Sequence, residues 1–202
     1  MNHSAFNPQE QEKHTASKIV AGLERISEVF KVLIWEQAKS VGLSPIQIQI
    51  LIFVTYHKPD LCNVSHLARE FNVTRPTVSD AVRVLVNKKL IVKEHSSEDR
   101  RSYTIFLSGA AKEIVAKTGH FSFPLKKQIE QFDDSELEDL WGTLSKLIYQ
   151  LNRSGILTVQ RTCYGCIYYD SSHEGADHCR LLKKNLYTED IRLDCPEYEE
   201  KQ

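Results

Sequence analysis

The chain has 202 residues, of which 41% are hydrophobic and 26% are charged, and its formal net charge is −1. This composition is typical of a globular protein with one ordinary domain and an appendage, or with two small domains. The small numbers of glycine and proline residues exclude a fibrous or low-complexity protein. No stretch approaches the roughly 18 apolar residues of a membrane span, and the polar N-terminus lacks the apolar core of a secretory signal. We therefore expect a cytoplasmic protein without a membrane partner.

The first predicted element is a long helix that follows a polar N-terminus. Residues 1–14 are predicted to be disordered. From residue 15 to about residue 40, apolar residues recur at alternating steps of four and three, the pattern of a helix that packs against another helix. These residues are Ile19, Leu23, Ile26, Phe30 and Leu33.

Three shorter helices are predicted next. Ser44 and Pro45 provide an N-cap and a first-turn proline for a helix over about 46–57. A short helix over about 64–71 and a turn at 72–73 follow. Thr74 then caps a helix that runs to about residue 88, with an inner face formed by Val78, Val82, Leu85 and Val86.

The pattern then changes from helix to strand and back. Leu90–Val92 begins a strand, residues 95–99 resemble a turn, and residues 101–107 form a second strand rich in β-forming residues. Residues 108–132 are again mainly helical, with a break near Pro124. A last long helix starts at residues 133–135 and ends at Gly155, with an apolar seam of Leu137, Leu140, Leu144, Leu147 and Leu151.

Helix, turn, helix and a two-stranded wing make up the winged helix-turn-helix order. Residues 63–107 contain 8 basic and 5 acidic residues, so positive charge is concentrated in this part of a nearly neutral chain. Hydroxyl, amide and guanidinium groups bind phosphates and base edges, although such residues also occur on ordinary solvated helix faces. The candidate DNA-binding residues are Ser65, Thr74, Arg75, Thr77, Ser79, Arg83, Asn87, Arg100 and Arg101.

Several motifs of this segment resemble the MarR family of bacterial transcriptional regulators. They are Val64-Ser-His-Leu-Ala-Arg-Glu-Phe-Asn-Val, Thr77-Val-Ser, Asn87-Lys-Lys-Leu-Ile-Val and Asp99-Arg-Arg-Ser, followed by Leu107-Ser-Gly. The resemblance covers about residues 15–153. It implies a homodimer in which the first and last helices of each chain interlock, and a recognition helix at about 74–88. It also implies a wing in which Arg101 reaches DNA and Asp99 helps to orient it.

Two further points concern this resemblance. Many family members bind a small aromatic effector, but no residue pattern here identifies one. The family usually has glycine before the leucine that enters the wing, whereas this chain has Lys89 before Leu90. We expect this departure to change a helix C-cap and not the fold.

Four of the five cysteines lie in the last part of the chain, with the spacing C-x2-C-x12-C-x15-C-P. In a cytoplasmic protein such a cluster indicates metal binding or redox chemistry before disulfides. Four thiolates suit a tetrahedral Zn²⁺ or a [4Fe-4S] cluster. A segment this small has little core of its own, so a metal would supply folding energy. The predicted ligands are Cys163, Cys166, Cys179 and Cys195.

The spacing of the cysteines favours a cluster over a single zinc ion. Tetrathiolate zinc ribbons usually contain two CxxC pairs, whereas this chain has one, and Pro196 follows the last cysteine. The spacing is similar to that of high-potential iron–sulfur proteins and of small cluster-binding subunits of glycyl-radical enzymes. Zn²⁺ is the alternative, and disulfides or free thiols are a third. His173 and His178 are alternative ligands, Gly165 is expected to permit the turn between Cys163 and Cys166, and Cys62 is expected to be buried.

The sequence thus predicts a mainly α-helical protein with a small β-wing. Residues 15–155 would form a winged helix-turn-helix domain with a helical dimerisation region from both of its ends, and residues 156–202 a cysteine-rich metal-binding module. The expected function is a homodimeric, sequence-specific transcriptional regulator on a pseudo-palindromic operator, modulated by the metal centre through redox, oxygen or iron sensing. No phosphate loop, dinucleotide fingerprint or HExxH motif indicates an enzyme. A thiol oxidoreductase and a protein-interaction module, with 9 acidic and 6 basic residues over 154–202, are the alternatives.

Overall fold

The computed structural model describes residues 4–95, 103–173 and 176–201. The helices in these ranges are α1 (Pro8–Lys13), α2 (Thr15–Ser40), α3 (Pro45–Tyr56), α4 (Val64–Glu70), α5 (Arg75–Asn87), α6 (Gly109–Thr118), α7 (Phe123–Ile129) and α8 (Asp134–Arg153). The strands are β1 (Ile91–His95), β2 (Tyr103–Leu107), β3 (Tyr169–His173), β4 (Ala176–Cys179) and β5 (Lys184–Asn185). Short 3-10 turns occur at Pro59–Leu61, Cys163–Gly165 and Thr188–Asp190.

The N-terminus differs from the prediction of disorder for residues 1–14, because Pro8–Lys13 forms α1. The side chain of Asn7 accepts a hydrogen bond from the backbone N–H of Gln9, and Pro8 occupies the first helical turn. Glu10 in the first turn and Lys13 in the last turn complement the helix dipole. A cap, a proline and two well-placed charges therefore outweigh the absence of apolar residues.

The core is built around α3, whose Ile48, Ile50 and Leu51 have no exposed surface. An almost wholly apolar helix such as α3 is buried on most of its circumference. The neighbouring elements add fully or nearly fully buried side chains to the same cluster, among them Leu67, Val78, Val82, Leu85, Ile105 and Ala111. One hydrophobic core therefore fixes α4, α5, α6 and the wing relative to α3.

Local caps set the boundaries of the helix-turn-helix. The Asn63 side chain accepts from the backbone N–H of His66 at 2.9 Å and starts α4. Thr74 accepts from the backbone N–H of Thr77 at 3.3 Å and starts α5. Between the helices, Asn72 adopts the left-handed conformation with φ 51°, which asparagine tolerates better than most residues. The predicted helix, turn and helix are confirmed.

The wing is an antiparallel pair in which Ile91 faces Leu107 and His95 faces Tyr103. The backbone N–H of Ile105 donates to the carbonyl of Cys62 at 2.8 Å, which ties β2 to the segment before α4. Lys89 has φ 57° and ends α5 in a Schellman cap, at a position that favours glycine. The lysine therefore leaves the chain path into the wing unchanged at a conformational cost of about 1–2 kcal/mol.

The C-terminal segment (residues 156–201) packs against α8. Its sheet has the order β3-β4-β5, and the neighbouring strands are antiparallel. Tyr164 lies 6.0 Å from Tyr149 of α8 between ring centroids, and Thr188 approaches Gly142 so closely that a Cβ there would lie 3.1 Å from its methyl group. One face of α8 is therefore covered by the chain's own C-terminal segment, which the prediction of a leucine seam did not foresee.

Among the described residues, no single helix is long and apolar enough to cross a membrane. Taken together across their 90° bend, α2 and α3 pass the same test by length and composition alone.

Gly165 is required for a close approach, which corrects the expectation that it is there to permit the turn. A Cβ at this buried position would lie 2.1 Å from Gln160 Nε2 and 2.9 Å from the Tyr198 hydroxyl. Gln160 cannot easily move, because its Oε1 accepts from the Thr162 backbone at 2.8 Å and its Nε2 donates to the Tyr198 hydroxyl at 2.8 Å.

We expect Gly165→Ala to lower the free energy of unfolding by about 1–3 kcal/mol, since the added methyl group overpacks a hydrogen-bonded site. Urea denaturation followed by circular dichroism measures the change. Gly109→Ala is the matched control, because no heavy atom lies within 4 Å of its added Cβ. Equal stabilities of the two variants would contradict this account of Gly165.

Candidate nucleic-acid interface and cysteine site

The described candidates for DNA contact lie on α4, α5 and the α5 cap, and every one of them is exposed. They are Ser65, Thr74, Arg75, Thr77, Ser79, Arg83 and Asn87. The opposite side of α5 carries Val78, Val82 and Leu85, which have no exposed surface. The core therefore holds α5 from behind and presents its polar side to solvent. Asp99, Arg100 and Arg101 lie outside the described residues.

Two local contacts arrange the outer face of α5. The hydroxyl groups of Thr74 and Thr77 lie 2.8 Å apart at the start of the helix. The Arg83 guanidinium donates to Asp80 at 2.8 Å, and both side chains are about two-thirds exposed. A pair this exposed contributes little stability, so Arg83 can exchange Asp80 for a phosphate at small cost.

The four C-terminal cysteines line one small cavity. Cys163 and Cys166 flank a 3-10 turn, Cys179 ends β4, and Cys195 lies on the loop near the C-terminus. The backbone N–H of Arg192 donates to Cys163 Sγ at 3.3 Å, and its guanidinium lies 3.8 Å from Cys195 Sγ. The remaining lining combines Tyr168, Tyr169, Leu181, Leu182 and Leu186 with the charged Asp190, Arg192 and Glu197.

None of the cysteines forms a disulfide. Burial and the neighbouring cysteines raise the pKa of the Cys163 thiol, although the Arg192 N–H opposes the shift. Cys62 is 1% exposed, as predicted, and burial together with Asp60 raises its pKa to about 11.

The cysteines share a cavity without converging on one point. Within the ranges that the structure describes, no three His, Cys, Asp or Glu side chains are placed to hold a single metal ion. His178 Nδ1 lies 2.9 Å from Asn185 Oδ1 and so links β4 to β5. The His173 side chain is outside the description.

A clasp of four side chains joins the C-terminal segment to the helix-turn-helix, and sequence reasoning missed it. Its members are Arg161, Asp194, Glu70 and His57. Arg161 donates two hydrogen bonds to the Glu70 carboxylate, at 2.8 and 3.0 Å, and a third to Asp194. Asp194 Oδ2 in turn lies 2.6 Å from His57 Nε2. The only sequence signal was that Arg161 and Asp194 stand beside the cysteine motif.

Burial strengthens the clasp. The side chains of Arg161 and Glu70 are 12% and 19% exposed, and a two-pronged guanidinium–carboxylate pair is among the strong hydrogen-bonded arrangements. Burial alone would raise the pKa of Glu70, but the nearby His66, whose Nε2 lies 3.5 Å from Glu70 Oε2, and the hydrogen bonds from Arg161 lower it overall. The other His57 nitrogen, Nδ1, lies 2.9 Å from the Phe53 carbonyl oxygen.

Residues 41–102 match a family model described as the MarR family. The match begins just before α3 and runs through α4, α5 and β1. These residues contain the helix-turn-helix and the first strand of the wing, so this part of the chain is similar to that family. No match is found among curated proteins.

Three solved structures are similar in fold to this chain. S. aureus MepR in its DNA-binding conformation is 25% identical, with a TM-score of 0.58, over 66% of this chain and 98% of MepR. The S. aureus MepR–DNA complex is 24% identical, with a TM-score of 0.58, over 65% and 97%. A MarR transcriptional regulator from Methanosarcina mazei Go1 is 18% identical, with a TM-score of 0.54, over 65% and 95%. About a third of this chain therefore has no counterpart in these structures.

The Glu70→Gln variant tests the electrostatic part of the clasp. Because the folded-state pKa of Glu70 is lowered, its stabilisation is present above the ordinary pKa of glutamate and is lost as the pH falls through the folded-state value. We expect the variant to lose about 1–3 kcal/mol of unfolding free energy at pH 7. We expect its difference from the wild type to shrink in acid.

Urea denaturation across a pH series measures this difference. Glu113→Gln, at an exposed position of α6, is the control and should change the stability little at any pH. A Glu70→Gln effect that does not depend on pH would show that shape, and not charge, is what the clasp needs.

Proposed function

We propose that this chain is a cytoplasmic MarR-family transcriptional regulator that binds double-stranded DNA sequence-specifically as a homodimer. The observation that carries the proposal is the two-sided character of α5, which is apolar toward the core and polar or basic toward solvent. The resemblance to MepR, which was solved both in complex with DNA and in a DNA-binding conformation, supports the same conclusion.

The proposed contacts divide into two sets. Thr74, Arg75, Thr77 and Ser79 lie in the first two turns of α5 or at its cap, the part of a recognition helix that enters the major groove. Ser65, Arg83 and Asn87 lie further from this end and suit phosphates. In the wing, we propose that Arg100 and Arg101 contact the backbone or minor groove and that Asp99 orients Arg101, as the family resemblance implies.

The partner chain in the proposal is a second copy of this one. In the single chain only Ile34 and Ala38 of α2 are buried. Large apolar side chains elsewhere on this helix are exposed, among them Trp35 at 60%, Val32 at 55% and Ile19 at 53%. A contiguous apolar surface of this kind marks an interaction site. A two-fold dimer would place two recognition helices about 34 Å apart on a pseudo-palindromic operator.

We also propose that a metal centre held by Cys163, Cys166, Cys179 and Cys195 modulates DNA binding, with a [4Fe-4S] cluster as the cofactor and Zn²⁺ as the alternative. The shared cavity and the absence of disulfides among these cysteines support this proposal. The surroundings of Cys163 and Cys166 argue against the thiol oxidoreductase alternative, because the neighbouring sheet is antiparallel and the pair does not lie in a βαβ unit.

The Arg75→Ala variant tests the assignment of α5 as the recognition helix. We expect a loss of about 1–3 kcal/mol of specific DNA-binding free energy and a change in base preference at the contacted position. Fluorescence anisotropy with a duplex that the wild type selects from a random pool measures the change. Lys117→Ala, an exposed position on α6, is the charge-matched control.

Two results of this experiment would contradict the proposal. One is an equal loss in the Arg75→Ala and Lys117→Ala variants. The other is wild-type affinity for the selected duplex that equals its affinity for random duplexes at moderate salt, where non-specific binding is weakened by counterion competition.

The Trp35→Glu variant tests the dimer. A charge placed in the apolar face of α2 would be buried in the interface, so we expect monomers by sedimentation velocity and a large loss of DNA affinity. Tyr56→Glu is the control, since Tyr56 is 72% exposed and lies on α3. Dimers of unchanged stability in Trp35→Glu would move the interface away from α2.

A further inference from the structure

The C-terminal segment touches the two parts of the molecule on which regulation of DNA binding would depend. On one side its turns Cys163–Gly165 and Thr188–Asp190 pack on α8. On the other side its clasp residues bind the ends of α3 and α4. We infer that the cysteine cavity takes a [4Fe-4S] cluster, and that its occupancy fixes α4 through the clasp. This inference rests on the proposed DNA-binding function.

The clasp and the cavity are built on the same two segments of the chain. Arg161 and Asp194 pair as a parallel β-bridge, and the backbone N–H of Cys195 donates to the Arg161 carbonyl at 3.2 Å. Cys163 follows Arg161 by two residues, and Cys195 follows Asp194 directly. The two chain segments that carry the clasp therefore also carry two of the four cysteines. Any change in the separation of these sulfurs moves the clasp.

The clasp binds the C-terminal ends of α3 and α4. Glu70 is the last residue of α4, and His57 caps the C-terminus of α3. The Thr158 hydroxyl also donates to the Arg69 carbonyl at the end of α4. The C-terminal segment thus binds the C-terminal ends of α3 and α4, and both of these helices pack against α5.

The C-terminal segment has too few buried apolar side chains to fold by apolar burial alone. In its described part the buried apolar side chains are Cys166, Leu186 and Ile191. Small domains with so little core depend on disulfides or metals. Four thiols that lose their protons to solvent and bind iron would join the 3-10 turn, β4 and the C-terminal loop into one unit. Without this centre, the clasp would depend on ion pairs alone.

The positions of the four cysteines suit a cluster better than a single metal ion. A tetrahedral zinc requires four sulfurs about 2.3 Å from one point, and the cysteines do not converge in this way. A cubane cluster takes one thiolate at each of its irons, so its ligands stay further apart. The leucine and tyrosine side chains of the cavity and the Arg192 N–H at Cys163 Sγ would supply the apolar contacts and the hydrogen bond that tune such clusters.

Occupancy of the cavity and DNA binding are therefore coupled through α4. A filled cavity holds α4 in place, and α4 and α5 bury Leu67 and Val78 in the same cluster. An ordered helix-turn-helix binds DNA without a further ordering cost. We expect loss of the cluster, or of the clasp, to weaken DNA binding about 5- to 150-fold.

The test uses the full chain, purified without oxygen, and three readouts: iron, sulfide and zinc content, DNA affinity and helix content. DNA affinity is measured with the duplex that the wild-type protein selects from a random pool. Cys163→Ser/Cys166→Ser removes ligands, and Cys62→Ala is its cysteine control. Asp194→Asn breaks the clasp from the C-terminal side and Glu70→Gln from the helix-turn-helix side. Glu189→Gln, at an exposed position of the segment, is the control for both clasp variants.

We expect about four irons per wild-type chain and broad absorption near 400 nm. The double cysteine variant should lose the iron and bind DNA weakly. Each folded clasp variant should keep its iron and still bind DNA weakly, and the controls should match the wild type. One zinc and no iron in the wild type would overturn the cluster. Full DNA affinity in a folded clasp variant, or in the iron-free double cysteine variant, would overturn the coupling. Failure of the wild type to select any duplex would overturn the proposed function and leave the iron content as a separate result.

Discussion

The paired charges of Arg161 and Glu70 are the contact on which the arrangement of this molecule depends. Half-buried charges are costly to remove from water, and their attraction compensates only when the geometry is good and the remaining hydrogen-bonding groups are satisfied. Here the guanidinium forks onto one carboxylate and reaches a second, and that second carboxylate holds His57. With few buried apolar side chains of its own, the C-terminal segment is positioned largely by this polar contact.

This arrangement gives the segment two neighbours that differ in kind. Its contact with α8 is made by rings and small residues, such as Tyr149 with Tyr164 and Gly142 with Thr188, and resembles ordinary packing. Its contact with α3 and α4 is charged and directional. Packing tolerates small displacements, whereas a two-pronged ion pair does not. A displacement of the cysteines would therefore first disturb the ion pair at the end of α4.

The sequence predicted the helix-turn-helix and wing well, because their boundaries are set locally. Asn63 and Thr74 cap their helices, Val78, Val82 and Leu85 follow the helical period, and the wing follows an abrupt change of period. The clasp could not be predicted, because Arg161 and Glu70 are separated by 91 positions and no local rule brings them together. Gly165 shows the same limit in part, since the nearby Gln160 that a Cβ would meet is held in place by the distant Tyr198. The four cysteines could be grouped by spacing, but only the fold shows that they line a cavity without converging on one point.

The decisive measurement is hydrogen–deuterium exchange of the chain with and without the proposed metal centre. Local opening of a helix sets the exchange rate of its amides, so peptides that contain α4 report whether the C-terminal segment fixes it. Peptides from α6, which makes none of the clasp hydrogen bonds, provide the internal reference. We predict slower exchange in α4 when the cysteine site is filled, with no change in α6. Equal exchange of α4 in the two forms would contradict it.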